Sequence, residues 1–308
     1  MTTIHLVQSP APAPLSMSFQ NLMSAIRLYE IGIRAAARRK TAIMTAPTAN
    51  PKLALSSATL SLSLAPAAMS GIDICPSRSP ACTAGCLGHN SGHSVMGLGA
   101  ANDVTVLTVV RQARIQRTKE LFGAFGQEAA LAALGAIDRE IRVFNRKCLA
   151  LSVKASVRMN AFSDIIWEQI WPELFQRHAG VQFYDYTKIQ ARFGKQRQKT
   201  RPANYHLTFS RSEQNEQGAL AILAAGGTVA VVFAIKAAAL LPATWNGFRV
   251  IDATRDDMRF LDPAGCVAGL VWKGPAGKAA YATSLQNSFA SGFSVEAKSP
   301  VLVSSTVS

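Results

Sequence analysis

Short strand-like runs alternate with helical stretches through most of this chain. The runs fall at 52–63, 152–160, 181–186, 205–210, 228–235, 248–252 and 267–273. Helical periodicity fills intervals at 104–122, 127–145, 165–176 (interrupted at Trp171-Pro172) and 216–225. Because the runs read as apolar on both faces, the alternation predicts an α/β protein whose parallel strands are covered by helices. Strands spaced by about 20–25 residues favour a barrel or partial barrel over an open doubly wound sheet.

Changes in composition along the 308-residue chain divide it into three predicted regions. Prolines and small polar residues predict that residues 1–50 form a disordered basic tail with one short helix near 19–40. Residues 51–280 hold the predicted α/β domain, and residues 281–308 are expected to be a flexible C-terminal tail. Apolar residues make up 49% of the chain, which excludes wholesale disorder.

The chain is strongly basic. Its 32 Lys and Arg residues against 18 Asp and Glu residues give a formal charge of +14. Such a charge favours nucleic acid as a partner, bound through the basic surface and the N-terminal tail, although a merely solubilising surface would look the same. Arg111, Arg114 and Arg117 repeat at a spacing that places them on one helix face, where they either contact phosphate or are solvated. The apolar tract 218–235 is split by two glycines, so no membrane span is expected.

The densest chemical feature is a loop between the first two predicted strands. It contains Cys75, Cys82, Cys86, His89 and His93 within 19 residues. Thiolates and imidazoles are the ligands that zinc and iron–sulfur clusters use, so the loop predicts a metal centre. The alternative is that the three cysteines are reduced and simply line a buried loop.

Two versions of the metal centre remain open. The three cysteines with His89 or His93 would complete a tetrahedral zinc site. Alternatively, the cysteines alone would hold an iron–sulfur cluster with one iron left free for substrate or S-adenosylmethionine. The gaps of six and three residues between the cysteines are wider than those of the familiar radical S-adenosylmethionine motif.

Polar residues follow several predicted strands. Asp164, Asp185, Lys188 and Asp252 are the candidate catalytic residues, because strand ends converge on one rim of a barrel, where function collects. Strand ends are also polar by default, and Asp164 is well placed to cap the helix that follows it.

Several short segments together resemble the phage gene product 88 domain family. They are Cys75-Pro with Cys82 and Cys86, Ala113-Arg114 with Arg117-Thr118, Val157-Arg158-Met159-Asn160 with Ser163-Asp164, Phe183-Tyr184-Asp185-Tyr186-Thr187-Lys188, Asn204-Tyr205, Val250-Ile251-Asp252, Asp257 with Arg259-Phe260-Leu261-Asp262-Pro263, and Gly269-Leu270. The similarity covers about residues 51–280. It implies a phage or prophage protein acting in the cytoplasm of a bacterial host, and no established activity comes with it. Ala253 stands where this family is expected to have glycine, and the basic N-terminus is an extension.

Three functions are consistent with these features. The first is an enzyme that depends on a metal or an iron–sulfur cluster and acts on a nucleotide or nucleic acid. The second is a non-enzymatic nucleic-acid-binding protein with a structural zinc site. The third is an interaction protein that works through its basic tail. The sequence does not fix the substrate, the reaction or the oligomeric state.

Overall fold

One nine-stranded sheet organises the protein. The computed structural model describes residues 16–45, 57–90, 109–274 and 278–297. The strands are β1 (Met44–Thr45), β2 (Ser57–Leu62), β3 (Lys154–Arg158), β4 (Gln182–Thr187), β5 (Tyr205–Ser210), β6 (Val229–Phe233), β7 (Thr244–Trp245), β8 (Phe248–Asp252) and β9 (Val267–Val271). They lie in the order β1-β2-β3-β4-β5-β6-β9-β8-β7.

Helices occupy most of the connections between these strands. The α-helices are α1 (Met17–Glu30), α2 (Pro80–Ala84), α3 (Leu87–Asn90), α4 (Val109–Leu121), α5 (Gln127–Ala150), α6 (Trp167–Ile170), α7 (Pro172–Arg177), α8 (Lys195–Thr200), α9 (Glu216–Ala224) and α10 (Lys278–Ala290). Single 3₁₀ turns lie at Gln190–Phe193, Ala238–Leu240 and Arg259–Leu261. No helix in the described ranges is long and apolar enough to cross a membrane.

The sheet is mostly parallel and open. Every neighbouring pair from β2 across to β8 is parallel, whereas the two-residue strands β1 and β7 pair antiparallel at the edges. The α/β class with parallel strands is therefore confirmed. The barrel is not formed in the described part of the chain, because β1 and β7 occupy the two edges that would have to pair with each other to close it.

The helices pack against one face of the sheet, called here the apolar face. Alternate strand residues such as Val157, Phe183 and Val231 point to it and are fully buried. Helices α1, α4, α5, α6 and α7 cover the β2–β5 half, and α9 covers the β6–β9 half. Burial of this apolar area is the main force that holds the helical layer on the sheet.

The opposite face, called here the polar face, differs from the expectation of apolar residues on both sides. On β3, β4 and β5 it carries Ser156, Arg158, Tyr184, Tyr186, His206 and Thr208. Strands β2–β5 therefore alternate between apolar and polar side chains, the pattern of a sheet with one core-facing side. Toward β6 and β9 the face changes to small apolar residues, which contact Ala253.

The described part of the N-terminal region contains a helix that packs on the core. Helix α1 buries Leu22, Ile26 and Tyr29 against the helical layer. The indole of Trp171 donates a hydrogen bond of 2.6 Å to the carboxylate of Glu30. Amphipathic spacing makes α1 a core helix, although its sequence neighbours are rich in proline and small residues.

Part of the expected C-terminal tail is also folded. Ser288 in helix α10 and Ser294 in the segment after it are buried and joined by a hydrogen bond of 2.9 Å. Val295 then forms a parallel bridge with Phe233 at the end of β6. Residues 298–308 lie outside the described residues.

A buried carboxylate ties three helices together. Asp138 of α5 accepts hydrogen bonds from His178 Nε2 at 2.9 Å and from the Tyr29 hydroxyl at 3.1 Å. Arg177 and Arg142 also form ion pairs with it. Burial by itself would raise the pKa of Asp138, but the His178 hydrogen bond and the arginine charges outweigh it and hold that pKa below its usual range.

Replacing this carboxylate is expected to destabilise the fold. Asp138→Asn removes the charge that pairs with Arg142 and Arg177 and should lower the free energy of unfolding by about 3 kcal/mol. Since the folded-state pKa is depressed, the stabilisation is fully present above the unfolded pKa near 4 and is lost progressively as pH falls from there through the folded-state pKa. Urea denaturation at pH 7 and at pH 3 should therefore show a smaller difference between wild type and variant at pH 3 than at pH 7. An equal difference at both values would contradict this role.

Candidate functional site

The cysteine-containing loop lies at the carboxyl edge of the sheet. It leaves the end of β2 and contacts the segment after β3, where Asp164 N donates a hydrogen bond of 2.8 Å to Ile74 O. The Cys75 thiol accepts from Ala67 N at 3.4 Å and donates to Phe162 O at 3.5 Å. In parallel sheets this edge is where ligands and catalytic groups collect.

Glu213, which follows β5, holds the second part of the loop. Its carboxylate accepts from Ser79 Oγ at 2.7 Å and from Ala81 N at 3.1 Å. Ser79 Oγ in turn accepts from Cys82 N at 3.1 Å, which caps the short helix α2. The loop is thereby fixed to two distant strand ends.

Two close contacts require glycine in the loop. A Cβ on Gly85 would lie 2.7 Å from the Trp272 ring beyond β9. A Cβ on Gly88 would lie 2.8 Å from Pro66 and 3.2 Å from the Phe162 ring. The loop packs directly on these side chains, and neither position therefore has space for a residue larger than glycine.

Arg114 of α4 fixes the third part of the loop. Its Nη1 donates to Gly88 O at 3.0 Å, and its guanidinium lies 4.2 Å from the centre of the Phe162 ring. The side chain is buried, and burial lowers the pKa of Arg114 to about 10. Arg114 is therefore not part of a solvated basic face, and its donor is directed at the loop.

The three thiols share one electrostatic environment. Burial, together with the charges of Asp164, Cys86 and Cys82, raises the pKa of Cys75 to about 12. All three are free cysteines. Within the described ranges no group of three His, Cys, Asp or Glu residues is placed to hold a metal ion. The side chain of His89 and all of His93 lie outside the described residues.

Asp185 lies in a buried polar network behind the loop. It accepts from Asn160 N at 2.7 Å, from the Tyr205 hydroxyl at 2.7 Å and from Asn160 Nδ2 at 3.1 Å. Burial raises the pKa of Asp185 to about 7, although these donors favour the charged form. Asn160 Oδ1 also accepts from Ser163 Oγ at 2.8 Å, so Asp185 shapes the turn that carries the loop contacts.

Asp164 belongs to the same network. Its carboxylate accepts from Lys188 N at 2.8 Å and forms an ion pair with Arg192 at 3.3 Å. Arg192 also binds both oxygens of Glu168 and the Tyr205 hydroxyl. Burial raises the pKa of Asp164. Asp164 and Asp185 therefore bind protein groups in this structure, and their catalytic role stays a prediction.

The other two candidate residues are more accessible. Lys188 extends its Nζ to Ser210 Oγ at 2.9 Å, at the carboxyl end of β5. Asp252 ends β8, accepts from Thr254 Oγ1 at 2.6 Å and pairs with exposed Arg255 at 3.2 Å. Lys188 lies near the Asp164 network, whereas Asp252 terminates a strand on the other half of the sheet.

Sequence reasoning did not single out the polar residues that gather on the second face of the sheet. Arg158 and Tyr186 lie near the carboxyl ends of β3 and β4, and Asp257 reaches them from the segment after β8. The available signal was the period-2 alternation of polar residues in β3, β4 and β5.

Loss of the Arg114 contact should loosen the loop. Arg114→Met is expected to leave the fold intact but to cost about 1–3 kcal/mol, because the Gly88 carbonyl loses its donor. Limited proteolysis should then cut within residues 63–90 faster than in wild type. Arg146→Met, a change at an exposed arginine on α5, serves as the matched control and should be cut like wild type. Equal cleavage of both variants would show that Arg114 does not hold the loop.

Comparison with known proteins gives one match. The family model described as Gene product 88 matches residues 34–286, which is most of the chain. No curated protein and no solved structure matches. The match begins beyond helix α1 and includes the cysteine-containing loop, all nine strands and the segments that reach the polar face. This chain belongs to the Gene product 88 family.

Proposed function

We propose that this protein is a phage- or prophage-type enzyme of the bacterial cytoplasm that uses its cysteine-containing loop to hold a metal ion or an iron–sulfur cluster. Its substrate would be a nucleotide or a nucleic acid. The observation that carries the proposal is that a loop with three cysteines is held at several points to the carboxyl edge of a parallel sheet. Loops fixed in this way supply binding groups at little cost in ordering.

The donor set fits a thiophilic metal in chemical type. Cys75, Cys82 and Cys86 would be the ligands, with His89 or His93 as the fourth in a zinc site. The high pKa of Cys75 means that a metal has to displace a proton, so binding should strengthen as pH rises. An iron–sulfur cluster with an open iron would supply a binding position for substrate or S-adenosylmethionine.

The chain's own polar residues have separable tasks in this proposal. Asp164 and Asp185 hold the turn after β3 against the loop, which keeps the thiols in place. Lys188 supplies a cation beside the polar face, and Asp252 supplies a carboxylate at the end of β8. These last two side chains are the ones available to contact a substrate.

A second candidate function is supported by an exposed basic surface. Lys195, Arg197 and Lys199 on α8 are all exposed and face no acidic partner among the described residues. Together with the net charge of +14, they favour a nucleic-acid-binding protein with a structural zinc site and no chemistry. Such binding would weaken steeply with salt, which a small-molecule enzyme would not show.

Metal analysis with a visible spectrum, on protein purified without oxygen, tests the proposal. We expect several iron atoms per chain with a broad visible absorption band, or one zinc, and loss of either in a Cys75/Cys82/Cys86→Ala triple variant. The matched control is Cys148→Ala with Cys266→Ala, since both of these cysteines are buried outside the loop.

Each result decides between the candidates. Iron that is lost only in the triple variant supports the cluster enzyme and leads to an assay of S-adenosylmethionine cleavage. One zinc without colour favours the structural site, and salt-dependent DNA binding is then measured. Folded wild-type protein without metal rejects both versions and leaves the loop as packing.

A further inference from the structure

A segment after β8 covers the polar face. This segment, residues 253–262, is called here the strap. It crosses β4 and β5, where the Phe260 ring packs 5.3 Å from Tyr184 and Met258 is buried. The backbone amides of Thr254, Met258 and Arg259 bond to acceptors at positions 252, 256 and 257. Side-chain contacts therefore provide much of its attachment to the sheet.

One of these contacts pairs a carboxylate of the strap with a cation of the sheet. Asp257 Oδ2 lies 3.0 Å from Arg158 Nη1, and its Oδ1 lies 3.5 Å from the Tyr186 hydroxyl. The Arg158 guanidinium stacks 4.7 Å from the centre of the Tyr186 ring. Asp257 thus occupies a position where a guanidinium and a phenol converge at the carboxyl end of two neighbouring strands.

The side chains at this position have more hydrogen-bond donors than Asp257 uses. Arg158 Nε is buried and makes no hydrogen bond to any residue that the structure describes. The end of the polar face therefore has hydrogen-bonding capacity for a larger anion than one carboxylate.

We infer that Arg158 and Tyr186 form a phosphate-binding site, and that Asp257 of the strap fills it when no phosphate is bound. A phosphate group carries more charge than a carboxylate and has three strong acceptor oxygens, which suits a guanidinium and a phenol together. Phosphate would displace Asp257 and release the strap from β3 and β4. Asp257 in this arrangement is an internal competitor for the site.

The inference deepens the proposed function and rests on it for the choice of phosphate, as the anionic group of a nucleotide. The geometry itself does not involve the cysteine-containing loop. Phosphate binding can therefore be measured without metal and without turnover, so the two proposals fail separately. A protein that holds metal but shows no phosphate effect would reject this inference alone.

Calorimetric titration with inorganic phosphate tests the site on the full-length chain. Asp257→Asn removes the competing charge while preserving size, and we expect its Kd for phosphate to fall about ten-fold or more relative to wild type. Adding Arg158→Gln should abolish that gain. Arg255→Gln changes an exposed strap residue whose ion pair, among the residues that the structure describes, is with Asp252, and as the matched control it should bind like wild type.

Two further measurements keep the test decisive. If the Arg158 variant does not fold, Asp257→Asn combined with Tyr186→Phe takes its place and should lose part of the gain. In wild type, the strap amides should exchange hydrogen faster in phosphate than in chloride of equal ionic strength. An unchanged Kd in Asp257→Asn, or exchange that is indifferent to phosphate, overturns the site.

Adenosine 5′-monophosphate serves as a second probe and separates a nucleotide from free phosphate. Tighter binding than inorganic phosphate in Asp257→Asn is the expected result, because the rest of the ligand would lie along the polar face. Equal binding of the two probes would overturn the assignment to a nucleotide.

Discussion

Helices pack on a single face of the parallel sheet because strands β2–β5 alternate apolar residues with polar ones. The apolar residues, including Val157 and Phe183, are buried beneath α5 and its neighbouring helices, and this burial holds the layers together. The polar set cannot be covered by another apolar layer without leaving hydrogen-bonding groups unsatisfied. The strap lies over it instead, and Asp257 of the strap forms an ion pair with Arg158. The location of the proposed binding site therefore follows from the asymmetry of the sheet.

The same sheet fixes the cysteine-containing loop through contacts that are distant in sequence. Glu213 binds the loop from the end of β5, Trp272 packs on it from beyond β9, and Arg114 binds it from α4. Parallel connectivity makes this possible, since the carboxyl ends of all these strands lie along one edge. The loop and the carboxyl end of the polar face consequently belong to the same edge of the molecule, although different strands carry them.

Buried charge has two uses in this protein. Asp138 joins α1, α5 and α7 through His178, Tyr29 and Arg177, and it contributes to the stability of the helical layer. The network of Asp164, Arg192 and Asp185 instead shapes the turns after β3 and β4. The carboxylates of Asp164 and Asp185, both near strand ends, bind protein groups, because a carboxylate at that place can turn toward the interior as readily as toward a ligand.

The sequence alone determined the order of the strands β2 to β6, β8 and β9, and of the helices α4, α5, α6, α7 and α9 between them. The predicted strands 205–210 and 248–252 coincide with β5 and β8, and the predicted interruption at Pro172 separates α6 from α7. These elements could be predicted because their signals span only a few residues. The signals are the spacing of apolar residues and the missing backbone N–H of proline. The sequence also identified the loop of Cys75, Cys82 and Cys86 as the densest group of potential ligands.

Only the tertiary structure decided how these elements combine. The sheet is open because β1 and β7 form its two edges, and these two-residue strands are too short to give a periodic pattern in the sequence. Burial of α1 and the turning of Arg114 toward the loop depend on partners more than twenty residues away. The meeting of Arg158 with Asp257 joins positions 99 residues apart. The sequence specifies the type and spacing of the side chains, but the packing of the whole sheet determines which side chains face each other. The position of the proposed phosphate site follows from this packing.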